Sequence, residues 1–237
     1  MIRAVEGLVR LVYPERCRHC GGVVEPGRRF FCAVCMDEAV PVGERSCTIC
    51  GRPYRDGSGG GHPCWRCMET RPPYEYAKAP CVFGGAVREA VHLLKFGKVR
   101  AMSGVLSGLS AGRLAGWFGD VTLCAAVPLH KNRLRGRGFN QSLLLARDAA
   151  MELDVRLSID GLVRARDTKP QVDIPAKERA ANVKGAFYAA RPGEFAGESV
   201  LLVDDVYTTG ATVKECAVVL KKAGAKAVYV LTAARAV

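Results

Sequence analysis

No run in this 237-residue sequence approaches the ~18–20 consecutive apolar residues that a membrane-spanning helix needs. No small-residue cleavage site follows the apolar stretch Met1 to Pro14, which carries Arg3, Glu6 and Arg10, so a secretory signal is not expected there. Ile2, Val5, Leu8, Val9 and Val12 are instead spaced as a short amphipathic helix docked on the protein. Also missing is any G-x-x-x-x-G-K-[ST], which excludes a nucleoside-triphosphate P-loop. No G-x-G-x-x-G opens a helix after a strand, as a dinucleotide fold would require. Acidic residues are in the minority, 23 against 35 basic ones, for a net charge of +12. That excess predicts an anionic partner, whether phosphate, nucleic acid or a membrane surface. A reducing, cytoplasmic compartment is the expectation.

What the sequence does contain is an apolar fraction of 49%, too high for a disordered polycation, in a chain long enough to bury a core. It also contains 11 cysteines, an odd number that cannot form a closed disulfide set. Eight of them make four CxxC pairs, Cys17/Cys20, Cys32/Cys35, Cys47/Cys50 and Cys64/Cys67, whose first members lie 15, 15 and 17 residues apart. The segment is therefore an internal repeat.

A CxxC turn points two thiolates at one tetrahedral ion. Gly21 and Gly51 stand directly after their second cysteines, where the chain must fold back under the metal. Eight thiolates supply two closed all-sulfur sites, and Zn²⁺ in a structural role is the expected ion. Four disulfides, a redox dithiol or an iron–sulfur cluster fit the spacing less well, and His19 or His62 is an alternative ligand. Sequential pairing is preferred over an interleaved cross-brace, which spacing alone does not exclude. The segment has too few large apolar residues for a core of its own, so metal should supply much of its folding energy. It reads as short strands and loops with a flexible tip at Asp56–Gly61. Cys81, Cys124 and Cys216, set among apolar neighbours, read as buried core thiols.

From about residue 77 the composition shifts to Val/Ala/Leu-rich segments alternating with helical patterns. The predicted division is 1–76 for the terminal helix and cysteine module and 77–237 for an α/β domain. Strands are expected at Val121–Val127, Val200–Val203 and Ala227–Leu231, and helices at Gln141–Leu153 and Thr212–Ala223. Near-continuous apolar strands separated by helices indicate a parallel sheet covered on both faces, with ligands at the strands' C-terminal ends.

The most informative stretch is VLLVDDVYTTGAT, Val200 to Thr212. An apolar strand delivers Asp204 and Asp205 to its C-terminal end, and a Thr/Gly loop then opens a helix. Free N–H groups and the positive dipole end at a helix start suit a phosphate. Thr208, Thr209 and Thr212 add hydroxyls, and Gly210 lets the backbone approach an anion. Two acids beside a phosphate need hydroxyls or a cation to face, which a ribose diol and Mg²⁺ would provide. The simpler alternative, acids and threonines that merely cap a helix, does not account for the combined pattern.

VLLVDDVYTTGAT resembles the signature of type I phosphoribosyltransferases. With YPERCRHCGG (Tyr13–Gly22), LLKFGK (Leu93–Lys98), VPLHKNRLRGRGFNQS (Val127–Ser142), RARDTKPQ (Arg164–Gln171) and ERAANVKGAF (Glu178–Phe187), nearly the whole chain resembles the late-competence ComF family. The resemblance implies a type I phosphoribosyltransferase fold with a central parallel sheet, joined to an N-terminal double zinc ribbon. It implies binding of 5-phosphoribosyl-1-diphosphate (PRPP) with Mg²⁺ and transfer of the phosphoribosyl group to a nitrogen nucleophile. Asp204 and Asp205 would hold the ribose hydroxyls, and Thr208, Thr209, Gly210, Ala211 and Thr212 the 5′-phosphate. Pro128, Leu129 and His130 would receive the diphosphate, with Lys131, Arg133, Arg135 and Arg137 neutralising it. A solvated basic turn is the plainer reading of those four cations. Asn140 and Gln141 fix the RGFN turn or cap the next helix. Arg164 to Lys184, interrupted by Pro170 and Pro175, would be a long mobile flap that excludes water. Lys95 and Lys98 are surface lysines by default, within possible reach of the anion.

One departure stands out. Purine-salvage relatives carry an acid where this chain has Thr208, so the usual base toward an incoming ring nitrogen is missing, and the acceptor stays open. The alternative function is a non-catalytic, PRPP-binding accessory protein that meets single-stranded DNA or competence-machinery proteins. Residues 1–80 carry 12 basic and 9 acidic groups, and residues 81–237 carry 23 and 14. The basic excess thus belongs mainly to the expected phosphate-binding domain.

Overall fold

The computed structural model describes residues 14–54, 59–169 and 174–237. The helix expected before Pro14, Asp56–Ser58 of the glycine-rich tip, and Pro170 and Gln171 of the basic loop lie outside the described residues.

Each half of the cysteine module pairs a tight knuckle with one turn of helix. The knuckles at Cys17–Gly22 and Cys47–Arg52 close on backbone bonds (Gly21 N–H to Cys17 O, 2.9 Å; Gly51 N–H to Cys47 O, 3.0 Å). They are flanked by the bridges Arg16–Val23 and Ser46–Pro53. The short helices α1 (Ala33–Asp37) and α2 (Trp65–Glu69) begin at Cys32 and Cys64, which serve as their N-caps. The short strands expected here are thus single bridges, and the second cysteine pair of each half sits on helix.

Beyond the module the chain forms β1 (Ala77–Lys78), α3 (Gly85–Lys95), α4 (Met102–Gly108), α5 (Leu114–Trp117), β2 (Leu123–Ala126), α6 (Lys131–Arg137), α7 (Gln141–Leu153) and β3 (Arg156–Ser158). There follow β4 (Leu162–Arg164), a 3-10 turn at Ala176–Glu178, α8 (Arg179–Val183), β5 (Phe187–Ala189), β6 (Ser199–Tyr207), α9 (Ala211–Lys222) and β7 (Ala227–Arg235). Five strands form a parallel sheet in the order β1-β7-β6-β2-β3. β4 and β5 make a separate antiparallel hairpin.

The apolar runs explain the layering. Leu201 and Val203 of β6 pack with α3, α4 and α7 on one face, while Val200 and Leu202 pack with α9 on the other. Alternation along a strand sends successive side chains to opposite faces, so a strand buried on both reads as continuously apolar. Cys81, Cys124 and Cys216 are all buried within these two layers. The first cysteine group joins the α3 side of the core, and the second joins the α9 side.

The sheet order positions the site. β2 leads through α6 and α7 outward to β3, whereas its neighbour β6 leads through α9 in the opposite direction to β7. Adjacent strands whose connections diverge leave a crevice at their C-terminal ends. The loops that border it are Pro128–His130 after β2 and Thr208–Gly210 after β6.

Among the predicted strands, β2 is shorter, Leu123–Ala126 instead of Val121–Val127, and two are longer. β6 continues past Val203 to Tyr207, and β7 past Leu231 to Arg235, because the two strands pair along their whole length. The basic segment Lys131–Arg137 is a helix rather than a turn, capped by His130 and closed at Gly138. The expected flap carries β4 at its start and a 3-10 turn running into α8 directly after Pro175.

Candidate functional site: an anion crevice and two thiolate centres

Asp204 and Asp205 lie inside β6, level with the end of β2, where Val127 N–H donates to Val203 O at 2.9 Å. Asp205 is buried. Its Oδ1 lies 2.6 Å from Lys95 Nζ, and its Oδ2 accepts from Gln141 Nε2 at 2.7 Å. Asp204 Oδ1 accepts from Ser142 Oγ and from the Asp205 N–H, both at 2.9 Å. Burial, and then the neighbouring Asp205 charge, push the Asp204 carboxyl up to about 7. These acids are not helix caps. They are held in place by α3 and the start of α7.

The N-terminus of α7 is fixed to do this. Asn140 caps it by accepting from Ser142 N–H (3.1 Å), while its Nδ2 donates to Val127 O (3.1 Å). Both roles expected for Asn140 are therefore filled by one side chain. Gln141 is drawn to Asp205 and also accepts from Arg137.

Opposite the acids, the four cations of the basic segment separate by helix phase. Lys131 and Arg135 face solvent, whereas Arg133 and Arg137 turn inward. Arg133 donates to the Thr168 carbonyl of the flap, and burial lowers Arg137 despite the nearby Asp205. Pro128 and Leu129 are partly covered, and His130 is buried with Nδ1 3.3 Å from Asp167 Oδ2. Asp167, which also accepts from Asn132 Nδ2 at 2.7 Å, is held below the usual carboxylate range, first by that bond. The flap thus rests on α6 through Asp167 and Thr168.

The loop Thr208–Gly210 is shaped from behind. Gly210 has φ +77°, and a Cβ there would run into the ring of Tyr207, so glycine is required twice over. Tyr207 Oη meets Tyr74 Oη at 2.6 Å, and the Arg235 guanidinium stacks 4.3 Å over the Tyr207 ring. Arg235 also donates to the carbonyls of Tyr207 (3.0 Å) and Thr208 (2.9 Å). In a trans peptide C=O and N–H point in opposite directions, so the N–H groups of Thr208 and Thr209 face away from Arg235. Those N–H groups and that of Gly210 make no backbone hydrogen bond among the described residues. Ala211 and Thr212 then open α9, one residue earlier than predicted. Unpaired N–H groups beside a helix start form a concavity suited to phosphate.

None of the eleven cysteines is joined in a disulfide. The sulfurs of Cys17, Cys20, Cys32 and Cys35 lie within 4.8 Å of one another, as do those of Cys47, Cys50, Cys64 and Cys67. The pairing is sequential. Cys20 and Cys32 sulfurs are 3.7 Å apart, and Cys50 and Cys64 sulfurs 3.8 Å. Tetrahedral ligands at about 2.3 Å from Zn²⁺ stand about 3.8 Å from each other, so both sets fit the ion. His62 bonds Tyr54 and is no part of either group.

Sequence reasoning missed two supports, Tyr74 and Arg235, and gave Lys95 as a surface lysine by default, within reach of the anion. Lys95 closes an amphipathic helix and pairs with Asp205. Tyr74 carried no signal. Arg235 did carry one: a single charge at the end of a mostly apolar C-terminal strand. Among the described residues no helix is long and apolar enough to cross a membrane.

Residues 8–68 match the model of the double zinc ribbon domain, and residues 140–236 that of the phosphoribosyl transferase domain. The chain is 31% identical over 226 residues to the DNA utilization protein YhgH of Escherichia coli (strain K12), covering 93% of this chain and 96% of that protein. It is 30% identical over 231 residues to Competence protein F of Haemophilus influenzae, with 93% and 97% covered. Competence protein ComFC of Streptococcus pneumoniae is 33% identical over 110 residues, 46% of each chain.

Proposed function

The chain belongs to the ComF family, a double zinc ribbon joined to a type I phosphoribosyltransferase fold, and from that premise we propose that it binds PRPP with Mg²⁺ in the crevice between β2 and β6 and transfers the phosphoribosyl group to a nitrogen nucleophile. The observation that supports this reading is that the N–H groups of Thr208–Gly210 make no backbone hydrogen bond among the described residues, beside two carboxylates held by Gln141 and Ser142. The 5′-phosphate sits on Thr208–Thr212. Asp204 and Asp205 face the ribose hydroxyls and supply hard oxygen ligands of the kind that hold Mg²⁺ together with substrate phosphates. The diphosphate lies along Pro128–His130, where Arg133 and Arg137 meet the charge that grows on it as the bond to C1 breaks. Bound Mg²⁺ adds positive charge to that leaving group. The flap residues Asp167 and Thr168 must then withdraw from α6, a closing and opening motion of the usual gating kind.

Calorimetry with PRPP and Mg²⁺ tests the site. Wild type should bind, and Asp204→Ala/Asp205→Ala should not; unchanged binding in the double mutant would refute the assignment. Diphosphate release across nucleobases, ammonia and glutamine tests turnover. Release with none of them, while PRPP still binds, would favour the second reading, a PRPP-responsive accessory role in DNA uptake. Thr208, which replaces a carboxylate base, and the relatives' names motivate that reading. It predicts single-stranded DNA binding that weakens steeply with salt.

A further inference from the structure

Arg235 is buried among groups that do not obviously call for a cation. Among the described residues it forms no ion pair with a carboxylate. All its polar contacts are backbone carbonyls: Nη1 to Tyr207, Thr208 and Ala236, and Nε to Cys50 O at 3.1 Å. Cys50 belongs to the second four-cysteine group. One rigid guanidinium therefore ties a metal knuckle to the back of the phosphate loop.

Other contacts run the same way. Ala77 N–H donates to Ile49 O at 2.7 Å, which fastens this knuckle to the edge of the sheet. Gly51 has φ +63°, and a Cβ there would approach Ala77 O to 3.0 Å, so the junction is close-packed. Tyr74, which follows α2, bonds Tyr207 under the loop. The first group has no such path: it packs with α1 and α3, and its cysteines touch no residue of the phosphate loop through the hydrogen bonds described.

A zinc ion held by four thiolates leaves a net negative centre, and a buried cation without a carboxylate is stable beside one. Loss of the metal would release the Cys47–Cys50 knuckle, and with it the Cys50 carbonyl that fixes Arg235 behind the loop.

We propose that Arg235 is a positioning residue through which the second cysteine centre, and not the first, sets the conformation of the phosphate-binding loop. Metal loss or thiol modification at Cys47, Cys50, Cys64 or Cys67 would thus reduce affinity for a sugar phosphate at a distance. The affinity arm rests on the PRPP reading above; the conformational arm does not.

The test compares full-length wild type, Cys20→Ser, Cys64→Ser, Arg235→Lys and Arg235→Met, each checked for fold by circular dichroism. Amide resonances of Thr208–Thr212 are recorded without ligand, and PRPP–Mg²⁺ affinity is measured by calorimetry. Cys64→Ser and Arg235→Met should move the loop resonances and weaken PRPP about tenfold, while Cys20→Ser, which removes a ligand of the first centre, should move the loop resonances less. Arg235→Lys, a point donor that cannot span three carbonyls, should restore little. Should Cys64→Ser fail to fold, Arg235→Met carries the test alone. Unmoved loop resonances in Arg235→Met, or equal shifts in Cys20→Ser, would overturn the proposal. Absence of PRPP binding in wild type would instead refute the earlier reading and leave the resonance comparison to decide this one.

Discussion

Asp204 shows how burial turns a carboxylate into a pH-sensitive group. Its ordinary unfolded value is about 3.9, and in the fold burial and Asp205 push it up to about 7. A raised carboxyl stabilises the fold in its protonated form, fully below about pH 4, and that contribution is lost as pH rises through about 7. Asp204→Asn removes the titration. The variant should melt about 2–4 °C higher than wild type at pH 8, with little difference at pH 4, and should lose PRPP binding. Thermal scans at the two pH values check the sign: a variant less stable at pH 8 would contradict it. Gly210→Ala meets two obstacles at once, a left-handed φ and the Tyr207 ring, and should cost roughly 1–3 kcal/mol in urea unfolding. These roles were partly legible from the sequence. Adjacent acids before a Thr/Gly loop announced a site, but nothing in that pattern specified Lys95, Gln141 and Ser142 as their partners.

Among the elements, the start of α7 carries the most. Asn140 caps it and also ties it to the end of β2, so the loop after β2 and the acid-binding side chains move as one. Asn140→Ala should lose about 1 kcal/mol of stability, and more of the PRPP affinity than a cap alone would explain. An affinity unchanged beside lowered stability would show that the cap acts on folding only. For the basic segment Lys131–Arg137 the sequence suggests cations that neutralise a diphosphate, with a solvated basic turn as the plainer alternative. The segment forms a helix because His130 caps one end and Gly138 closes the other. That helix decides which cations reach the crevice, Arg133 and Arg137, and which stay in solvent.

Across the whole molecule, the zinc ribbons are part of the packed structure rather than an appendage. Their cysteines join both core layers, and the second group reaches the loop Thr208–Gly210 through Arg235 and Tyr74. Purified protein should contain two zinc ions per chain by elemental analysis, and Cys47→Ser should retain one. Chelation should unfold the module and lower the melting temperature of the remainder; an unchanged melt would mean that the sheet does not depend on it.

Much of this organisation follows from one-dimensional pattern. CxxC spacing, apolar strands alternating with helices, and the stretch Val200–Thr212 are local signals, because tetrahedral thiolate turns, doubly covered strands and helix-start anion sites each involve only a few neighbouring residues. The strand order, the divergence of β2 and β6, and the contacts of Lys95, Tyr74 and Arg235 depend on residues far apart in the chain. Arg235 and Cys50 are separated by 185 positions, and only the folded sheet brings them within a hydrogen bond.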